Sequence, residues 1–145
     1  MEPTQLQALS PLDGRYAHVT QPLAEVFSES SLITQRIQIE LKYLQALAKA
    51  KVIRPFTKTE ISLCTKLEKP SLASIQRVKH IEQKIHHDVK AIEYFLAEKF
   101  QSTSLKECVP YIHLGLTSED INNLAYRLMI NQAQQEIILP QLTVL

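Results

Sequence analysis

The sequence is poor in glycine and contains no tryptophan. It has two glycines among 145 residues, where the average frequency of about 7% would give roughly ten. A dinucleotide-binding fold needs a cluster of glycines after a strand, and a P-loop needs two glycines ahead of a lysine and a hydroxyl residue. Tight hairpins also depend on Gly, Asn and Asp in their turns. The scarcity of glycine therefore argues against phosphate-binding loops and against a hairpin-rich β protein.

Neither sign of charge dominates, and long apolar runs are missing. Sixteen basic and fifteen acidic residues give a net charge of +1, without the basic surface that nucleic-acid binding requires. No apolar stretch approaches the roughly 18 residues of a membrane span, and the first residues do not form a signal peptide. Cys64 and Cys108 form no CxxC pair or disulfide framework, which is typical of a reducing compartment. We therefore expect a cytoplasmic protein with neither nucleic-acid nor membrane partners.

The apolar residues recur at intervals of three and four, which is typical of α-helices. The clearest stripe starts at Leu32 and should end near Pro55, because a proline disfavours helical geometry in the residue before it. Further helices are expected over Lys58–Leu67, after Ser71 and from about Val89. The chain is long enough to form a domain with its own core. The pattern predicts an all-α fold.

The start of the last helix is marked most clearly. Thr117 and Asp120 occupy the positions of a capping-box variant, and Leu116 and Ile121 those of a hydrophobic staple. The predicted helix continues over residues 121–145, without a C-terminal glycine or a basic last turn, and regains apolar residues towards its end. Such a helix either lacks partners from another part of the protein or is an oligomerising or frayed terminal helix. The pattern alone does not separate these two interpretations.

The first of three segments that break the helical pattern is SPLDGRY, at residues 10–16. Pro11 favours a turn, and the dipeptide Asp13-Gly14 permits a positive φ. The turn then presents Arg15 and Tyr16. An arginine can bind a phosphate or carboxylate through two parallel hydrogen bonds. The alternative is an ordinary surface turn with a solvated arginine.

The second segment is His86-His87-Asp88, at the start of a predicted helix. Free backbone N–H groups and the helix dipole favour an anion there, and an imidazole could donate a hydrogen bond or a proton. A metal site that includes His80 is disfavoured, because His80 and His87 would lie roughly 10 Å apart along a helix. The alternative is that Asp88 only caps the helix and both histidines are exposed.

The third segment is HLGLTSED, at residues 113–120. Thr117 and Ser118 stand at a helix N-terminus behind Gly115, so hydroxyl and backbone N–H donors could converge on a carboxylate. Capping by Thr117 alone is the alternative, but capping needs one hydroxyl and leaves Ser118 in excess. With no nucleophile triad, metal cluster or cofactor loop in the sequence, the three segments favour a site for an anionic metabolite.

These motifs, in their order and spacing, resemble the bacterial type of the adenylosuccinate lyase family, within the fumarase and aspartase superfamily. The resemblance rests on SPLDGRY, HDVKAIEYFL and HLGLTSEDINNL and covers essentially the whole chain. The TS-x-D-x-N element is shared across the superfamily. The HDV and DGRY elements restrict the resemblance to the adenylosuccinate lyase family. The resemblance implies an N-terminal helical domain over residues 1–116 and the first part of a central bundle helix over residues 117–145.

The resemblance also implies an activity. Family members cleave adenylosuccinate to AMP and fumarate, and split the succinyl adduct of aminoimidazole carboxamide ribotide, by β-elimination in purine biosynthesis. We expect a nucleotide substrate, no cofactor or metal, and a homotetramer whose active sites combine segments of different subunits. The general acid, a histidine, and the general base, a serine in a mobile loop, would both lie beyond residue 145. The chain alone is therefore expected to be inactive.

Residue by residue, the resemblance assigns substrate binding to positions in all three segments. These are Arg15, Tyr16, His86, His87, Asp88, Thr117 and Ser118. The first two match the nucleotide-binding pair of the family, and the last two match the pair that holds the succinyl part. The family pattern has asparagine where this chain has His86, so a contact through a side-chain amide would be lost there. We therefore rank His86 below His87.

Two other interpretations stay open at this point. The chain could belong to a sister lyase of the superfamily that acts on argininosuccinate or fumarate. It could also be a non-catalytic helical interaction module whose last helix is its docking surface. Sequence downstream of residue 145 would separate them, because a loop of the type GSS-x-M-P-x-K-x-N supports a lyase.

Overall fold

The computed structural model describes residues 6–143 of the chain. Its regular elements are all helical, and no strand occurs within this range, so the prediction of an all-α fold is confirmed. The elements are α1 (Ala17–Phe27), α2 (Glu29–Lys49), α3 (Lys58–Leu67), α4 (Leu72–Ile85), α5 (Asp88–Phe100), a 3₁₀ segment (Ser104–Tyr111), α6 (Ser118–Ala133), a π-helical segment (Gln134–Ile138) and α7 (Leu139–Thr143). None of these helices is long and apolar enough to cross a membrane.

Helix α2 lies at the centre of the fold. One side of it packs with α3, α4, α5 and the 3₁₀ segment in the main core, which includes the fully buried Phe95 and Phe100. On another side, Ile39 packs against Val89 and Ile121 at the starts of α5 and α6. Helix α1 contacts α2 and α6. Because α2 is covered on several sides, charged residues on it are carried into the interior.

The predicted starts of α3 and α4 are confirmed, whereas α2 begins earlier than predicted. Helix α3 has the predicted bounds, with Thr57 and Glu60 forming a capping box. Ser71 caps α4 by accepting a hydrogen bond from the backbone N–H of Ser74 at 3.3 Å. Helix α2 begins at Glu29, ahead of the predicted stripe, because the hydroxyl of Ser28 caps it there. Local side-chain chemistry therefore defines these boundaries.

Two helical segments carry no clear signal in the sequence. Helix α1 contains Pro22 in its interior, and the 3₁₀ segment contains Pro110. Proline removes a backbone donor and argues against a helix. Helix α1 packs against α2 and α6, and the 3₁₀ segment packs against α5. These contacts offset the local effect of each proline.

The last helix differs from the continuous helix predicted over residues 121–145. Its α-helical geometry ends at Ala133, and π-helical geometry follows over Gln134–Ile138. Pro140 has no N–H to donate to the carbonyl of Glu136, and π-helical geometry occurs mostly as single turns within α-helices. Residues 144 and 145 lie outside the described residues. The predicted domain boundary after residue 116 stays a prediction. The start of α6, which follows that boundary, shares a buried cluster with α2 and α5.

An ion pair with a buried carboxylate joins α3 to the preceding loop and to the 3₁₀ segment, with Glu60 buried and Arg54 35% exposed. The Glu60 side chain is 2% exposed. Arg54 donates to its two carboxylate oxygens at 2.9 and 2.7 Å. The backbone N–H of Thr57 and the hydroxyl of Ser104 also donate to the carboxylate, at 2.7 and 2.5 Å. Four donors therefore compensate the burial of this charge.

Candidate functional site

Two of the three predicted segments meet at a cleft of about 790 Å³. The cleft forms where the end of α4 and the starts of α5 and α6 converge. Its lining residues are Glu82, Gln83, His86, His87, Asp88, Ser118, Glu119 and Asn122. Segments that are about 30 residues apart in the sequence are thus brought to one place. Within residues 6–143, no group of three His, Cys, Asp or Glu side chains is placed to hold a metal ion.

His87 is the N-cap residue of α5, and its imidazole takes part in the cap. The ring Nδ1 accepts a hydrogen bond from the backbone N–H of Lys90 at 3.2 Å. A nitrogen that accepts carries no proton, so the hydrogen-bond network assigns the proton of the neutral ring to Nε2. His87 therefore has an N–H donor available for a ligand. In the alternative interpretation, the cap assignment is wrong because Asp88 is the first residue of α5, but His86 and His87 are both exposed as it states.

The start of α5 has fewer free backbone donors than the sequence predicts. The N–H of Val89 donates to the Asp88 carboxylate at 2.8 Å. The N–H of Lys90 is bonded to His87. These two amides are therefore satisfied within the protein. The remaining contribution of this helix end to anion binding is its dipole and the imidazole of His87.

Arg36 connects the two segments from beneath the cleft. This arginine of α2 is 4% exposed. Its Nη2 donates to Asp88 Oδ2 at 2.6 Å and to Asn122 Oδ1 at 2.8 Å, and its Nε donates to the same Asn122 oxygen at 3.0 Å. Burial raises the pKa of the Asp88 carboxyl, but the Val89 N–H and the Arg36 charge outweigh it, so that pKa is lowered overall. Asp88 therefore stays ionised and paired at neutral pH.

His86 occupies a left-handed conformation at the end of α4. Its φ is +53° and its ψ +37°, and its N–H donates to the Glu82 carbonyl at 2.7 Å. Asparagine and histidine are enriched in this region among residues other than glycine. The backbone conformation is therefore compatible with either histidine or asparagine at this position.

We expect the effect of substitutions at His86 to follow backbone preference. His86→Val should lower the free energy of unfolding by about 1–2 kcal/mol, because a β-branched residue is strained in the left-handed region. His86→Asn should be nearly neutral. Urea-induced unfolding monitored by circular dichroism measures both. His80→Val is the matched control, since His80 is exposed in α4 and the helix propensities of histidine and valine are similar. Equal losses at the two positions would contradict this explanation.

Thr117 and Ser118 differ in what their hydroxyl groups contact. The Asp120 carboxylate accepts hydrogen bonds from the Thr117 backbone N–H at 2.7 Å and from its hydroxyl at 2.8 Å. Leu116 and Ile121 share a buried cluster, as the predicted staple requires. Ser118 lines the cleft, and its hydroxyl has no hydrogen-bond partner among the described residues. Of the two predicted hydroxyl groups, Ser118 is the one free to bind a ligand.

A second buried ionisable residue of α2, Glu40, supports the loop ahead of α6. Glu40 is 1% exposed, and one of its carboxylate oxygens lies 2.5 Å from His113 Nδ1. Burial raises the pKa of Glu40, although the contact with His113 opposes the shift. His113 itself has a left-handed φ of +60°. The hydroxyl of Tyr43 donates to the carbonyl of Leu114 at 2.7 Å, so α2 holds this loop at two points.

The first predicted segment lies apart from the cleft. Its turn is held by Asp13, which accepts hydrogen bonds from the backbone N–H and the hydroxyl of Ser10 at 2.7 and 3.0 Å. The Arg15 guanidinium lies 4.7 Å from the centre of the Tyr16 ring, within the range of a cation–π contact. Neither residue is among those that line the cleft. The structure therefore brings together the second and third segments, but not the first.

Comparison with known proteins places the chain in a family. A family model described as Lyase matches residues 14–145. The chain belongs to this lyase family. The predicted membership of a lyase family is thereby confirmed.

Individual members of the lyase family extend this result. Adenylosuccinate lyases of Legionella pneumophila (strain Corby), Haemophilus influenzae and Escherichia coli (strain K12) are 42%, 43% and 41% identical to the chain over 142, 146 and 145 residues. The matches cover 94%, 97% and 97% of this chain. They cover 31%, 32% and 32% of the relatives, so the chain spans about a third of their length.

Arg36, Glu40 and Asn122 are the residues of this region that sequence reasoning missed. Arg36 and Glu40 are four residues apart and interrupt the apolar stripe of α2 next to Ile37 and Leu41. Charged residues on the buried face of a helix need partners, and this signal could have been used to find them. Asn122 is the last residue of the TS-x-D-x-N element, but the sequence by itself does not assign it a role.

Proposed function

We propose that this chain is the N-terminal part of an adenylosuccinate lyase. The whole protein would cleave adenylosuccinate to AMP and fumarate, and the succinyl adduct of aminoimidazole carboxamide ribotide to aminoimidazole carboxamide ribotide and fumarate. It would act in the cytoplasm, in purine biosynthesis. The proposal is carried by the convergence of His87, Asp88 and Ser118 at one cleft of a lyase-family chain.

The chemistry of a β-elimination fits the donors of this cleft. A base removes a proton next to a carboxylate, an acid protonates the departing amine nitrogen, and negative charge accumulates on the carboxylate oxygens. Preorganised donors aimed at those oxygens lower the barrier. The Nε2–H of His87 and the hydroxyl of Ser118 are such donors, and the starts of α5 and α6 add their dipoles. In this proposal they bind and orient the succinyl part.

The remaining functions belong to other parts of the proposed protein. The general acid and the general base would come from segments beyond residue 145. Arg15 and Tyr16 would bind the nucleotide, and in a homotetramer their turn could serve a site other than that of its own chain. Exposed apolar residues support such an assembly: Leu124 and Leu128 of α6 are 53% and 44% exposed.

Turnover by the full-length protein tests the proposal. We expect the full-length protein to remove the absorbance of adenylosuccinate and the 145-residue chain alone to leave it unchanged, because the acid and base are missing. Argininosuccinate and fumarate serve as control substrates for the sister lyases. Turnover of either one, with adenylosuccinate untouched, would replace this proposal. A full-length protein inactive towards all three would support the interaction module.

A further inference from the structure

The amide orientation of Asn122 is determined by a buried partner. A guanidinium has only donors, and Arg36 places two of its nitrogens 2.8 and 3.0 Å from one oxygen of this side chain. The atom that faces Arg36 must therefore be the amide oxygen, because an NH₂ group there would set donors against donors. Its NH₂ group consequently points away from Arg36.

The NH₂ group of Asn122 is directed towards the cleft surface. Asn122 lines the cleft, and its oxygen is turned to Arg36, which is 4% exposed. The amide nitrogen lies 3.3 Å from a carboxylate oxygen of the exposed Glu119. An amide nitrogen has two hydrogens, so at least one remains available after this long contact.

We propose that Asn122 is a ligand-binding residue of this cleft and that Arg36 is the positioning residue that orients it. Asn122 donates an amide N–H to a carboxylate of the ligand, beside the hydroxyl of Ser118 one helical turn earlier. Arg36 acts through Asn122 and Asp88, which it holds in fixed relation. This inference rests on the proposed function, since it takes the ligand to be the succinyl part of the substrate.

The charge of the cleft gives this donor its importance. Glu82, Asp88 and Glu119 all line the cleft, and Arg36 already compensates Asp88. A ligand carboxylate therefore meets no uncompensated positive side chain on this wall, within the part of the chain that the structure describes. Uncharged donors such as Asn122 must then supply much of its hydrogen bonding on this side.

Asn122→Asp separates ligand binding from folding. The aspartate keeps an oxygen for Arg36, so the buried contact survives, but it replaces the cleft donor with a negatively charged acceptor. In the full-length protein we expect the KM for adenylosuccinate to rise about tenfold or more, as for the loss of a hydrogen bond to a charged group. The midpoint of thermal unfolding should change little.

Asn123→Asp is the matched control, because it adds the same charge at the next residue of the same helix. Asn123 is exposed, and its amide donates to the Glu119 carbonyl at 2.9 Å. We expect its KM to stay within about twofold of the wild-type value. A KM for Asn122→Asp that matches that of Asn123→Asp would overturn the role of Asn122.

Arg36→Lys tests the positioning role. Lysine keeps the charge next to Asp88 but cannot place two nitrogens on the Asn122 oxygen. We expect KM to rise in this variant, and its effect to be several-fold smaller when Asn122→Asp is already present. Equal effects in the two backgrounds would show that Arg36 does not act through Asn122.

Equilibrium binding of succinate and AMP separates this inference from the proposed function. A wild-type protein that binds succinate, loses that affinity on Asn122→Asp and does not cleave adenylosuccinate would retain the role of Asn122 and remove the proposed reaction. Cleavage of adenylosuccinate with an unchanged KM in Asn122→Asp would retain the proposed reaction and remove the role of Asn122. A protein that neither binds succinate or AMP nor cleaves adenylosuccinate would overturn both.

Discussion

Replacing Ser118 with alanine is expected to lower kcat for adenylosuccinate in the full-length protein by about 10²–10³-fold. This is the loss that follows removal of one donor to an oxygen on which negative charge develops. The Ser118 hydroxyl lines the cleft and has no hydrogen-bond partner among residues 6–143. Its removal therefore breaks no internal bond, and the free energy of unfolding should change by less than about 0.5 kcal/mol. Steady-state kinetics and urea-induced unfolding of the same preparation measure the two quantities.

Two comparison variants make the result for Ser118 specific. Ser102→Ala removes a hydroxyl from an exposed serine in the turn after α5, and both measured quantities should be unchanged. Thr117→Ala removes the hydroxyl that donates to Asp120 and should destabilise the fold by about 1 kcal/mol, as for the loss of a typical hydrogen bond. If Ser118→Ala lost stability like Thr117→Ala while retaining full turnover, Ser118 would be a structural residue and its assignment would be wrong.

Replacing Arg54 with methionine is expected to lower the free energy of unfolding by about 3 kcal/mol at pH 7. Removing the partner of a buried charge typically costs about 3–5 kcal/mol. The charge left here is the buried Glu60 carboxylate, and the removed Arg54 side chain is 35% exposed, which reduces the loss. Glu60 would retain Thr57 and Ser104 as donors, which places the loss at the lower end. Arg77→Met is the control, because Arg77 and Glu98 form a pair whose side chains are 43% and 45% exposed. Such pairs contribute about 0–1 kcal/mol.

The pH dependence of the Arg54→Met effect follows from the Glu60 carboxyl. The Arg54 guanidinium holds the pKa of Glu60 far below its usual range, although burial acts in the opposite direction. A carboxyl with a lowered pKa stabilises the folded state fully above its unfolded pKa, which is about 4.3. That contribution is lost as the pH falls through the folded pKa. The difference between wild type and Arg54→Met should therefore be largest near pH 7 and shrink below about pH 4.

Unfolding curves at pH 7 and pH 3 check this expectation. The Arg77→Met control should show a small difference at both values. A difference for Arg54→Met that stays constant between them would mean that ionisation of Glu60 does not contribute to stability.

The sequence is sufficient to predict the helices whose ends carry a cap and the family to which the chain belongs. Thr57 and Ser71 are such caps, and each hydroxyl accepts a hydrogen bond from the backbone N–H three residues later. Apolar periodicity is equally local, since it needs only the neighbouring turns of one helix. Helix α1 and the 3₁₀ segment are missed because tertiary packing there overrides the prolines they contain.

The composition of the candidate site shows the limit of such local information. His87 and Ser118 are recognisable from their motifs, but their common cleft is decided by the packing of α4, α5 and α6 around α2. Arg36 lies 86 residues before Asn122 and 52 before Asp88. These three residues meet because one side of α2 packs against the starts of α5 and α6. The direction of the Asn122 amide, and hence the donor it presents, follows only from that three-dimensional contact.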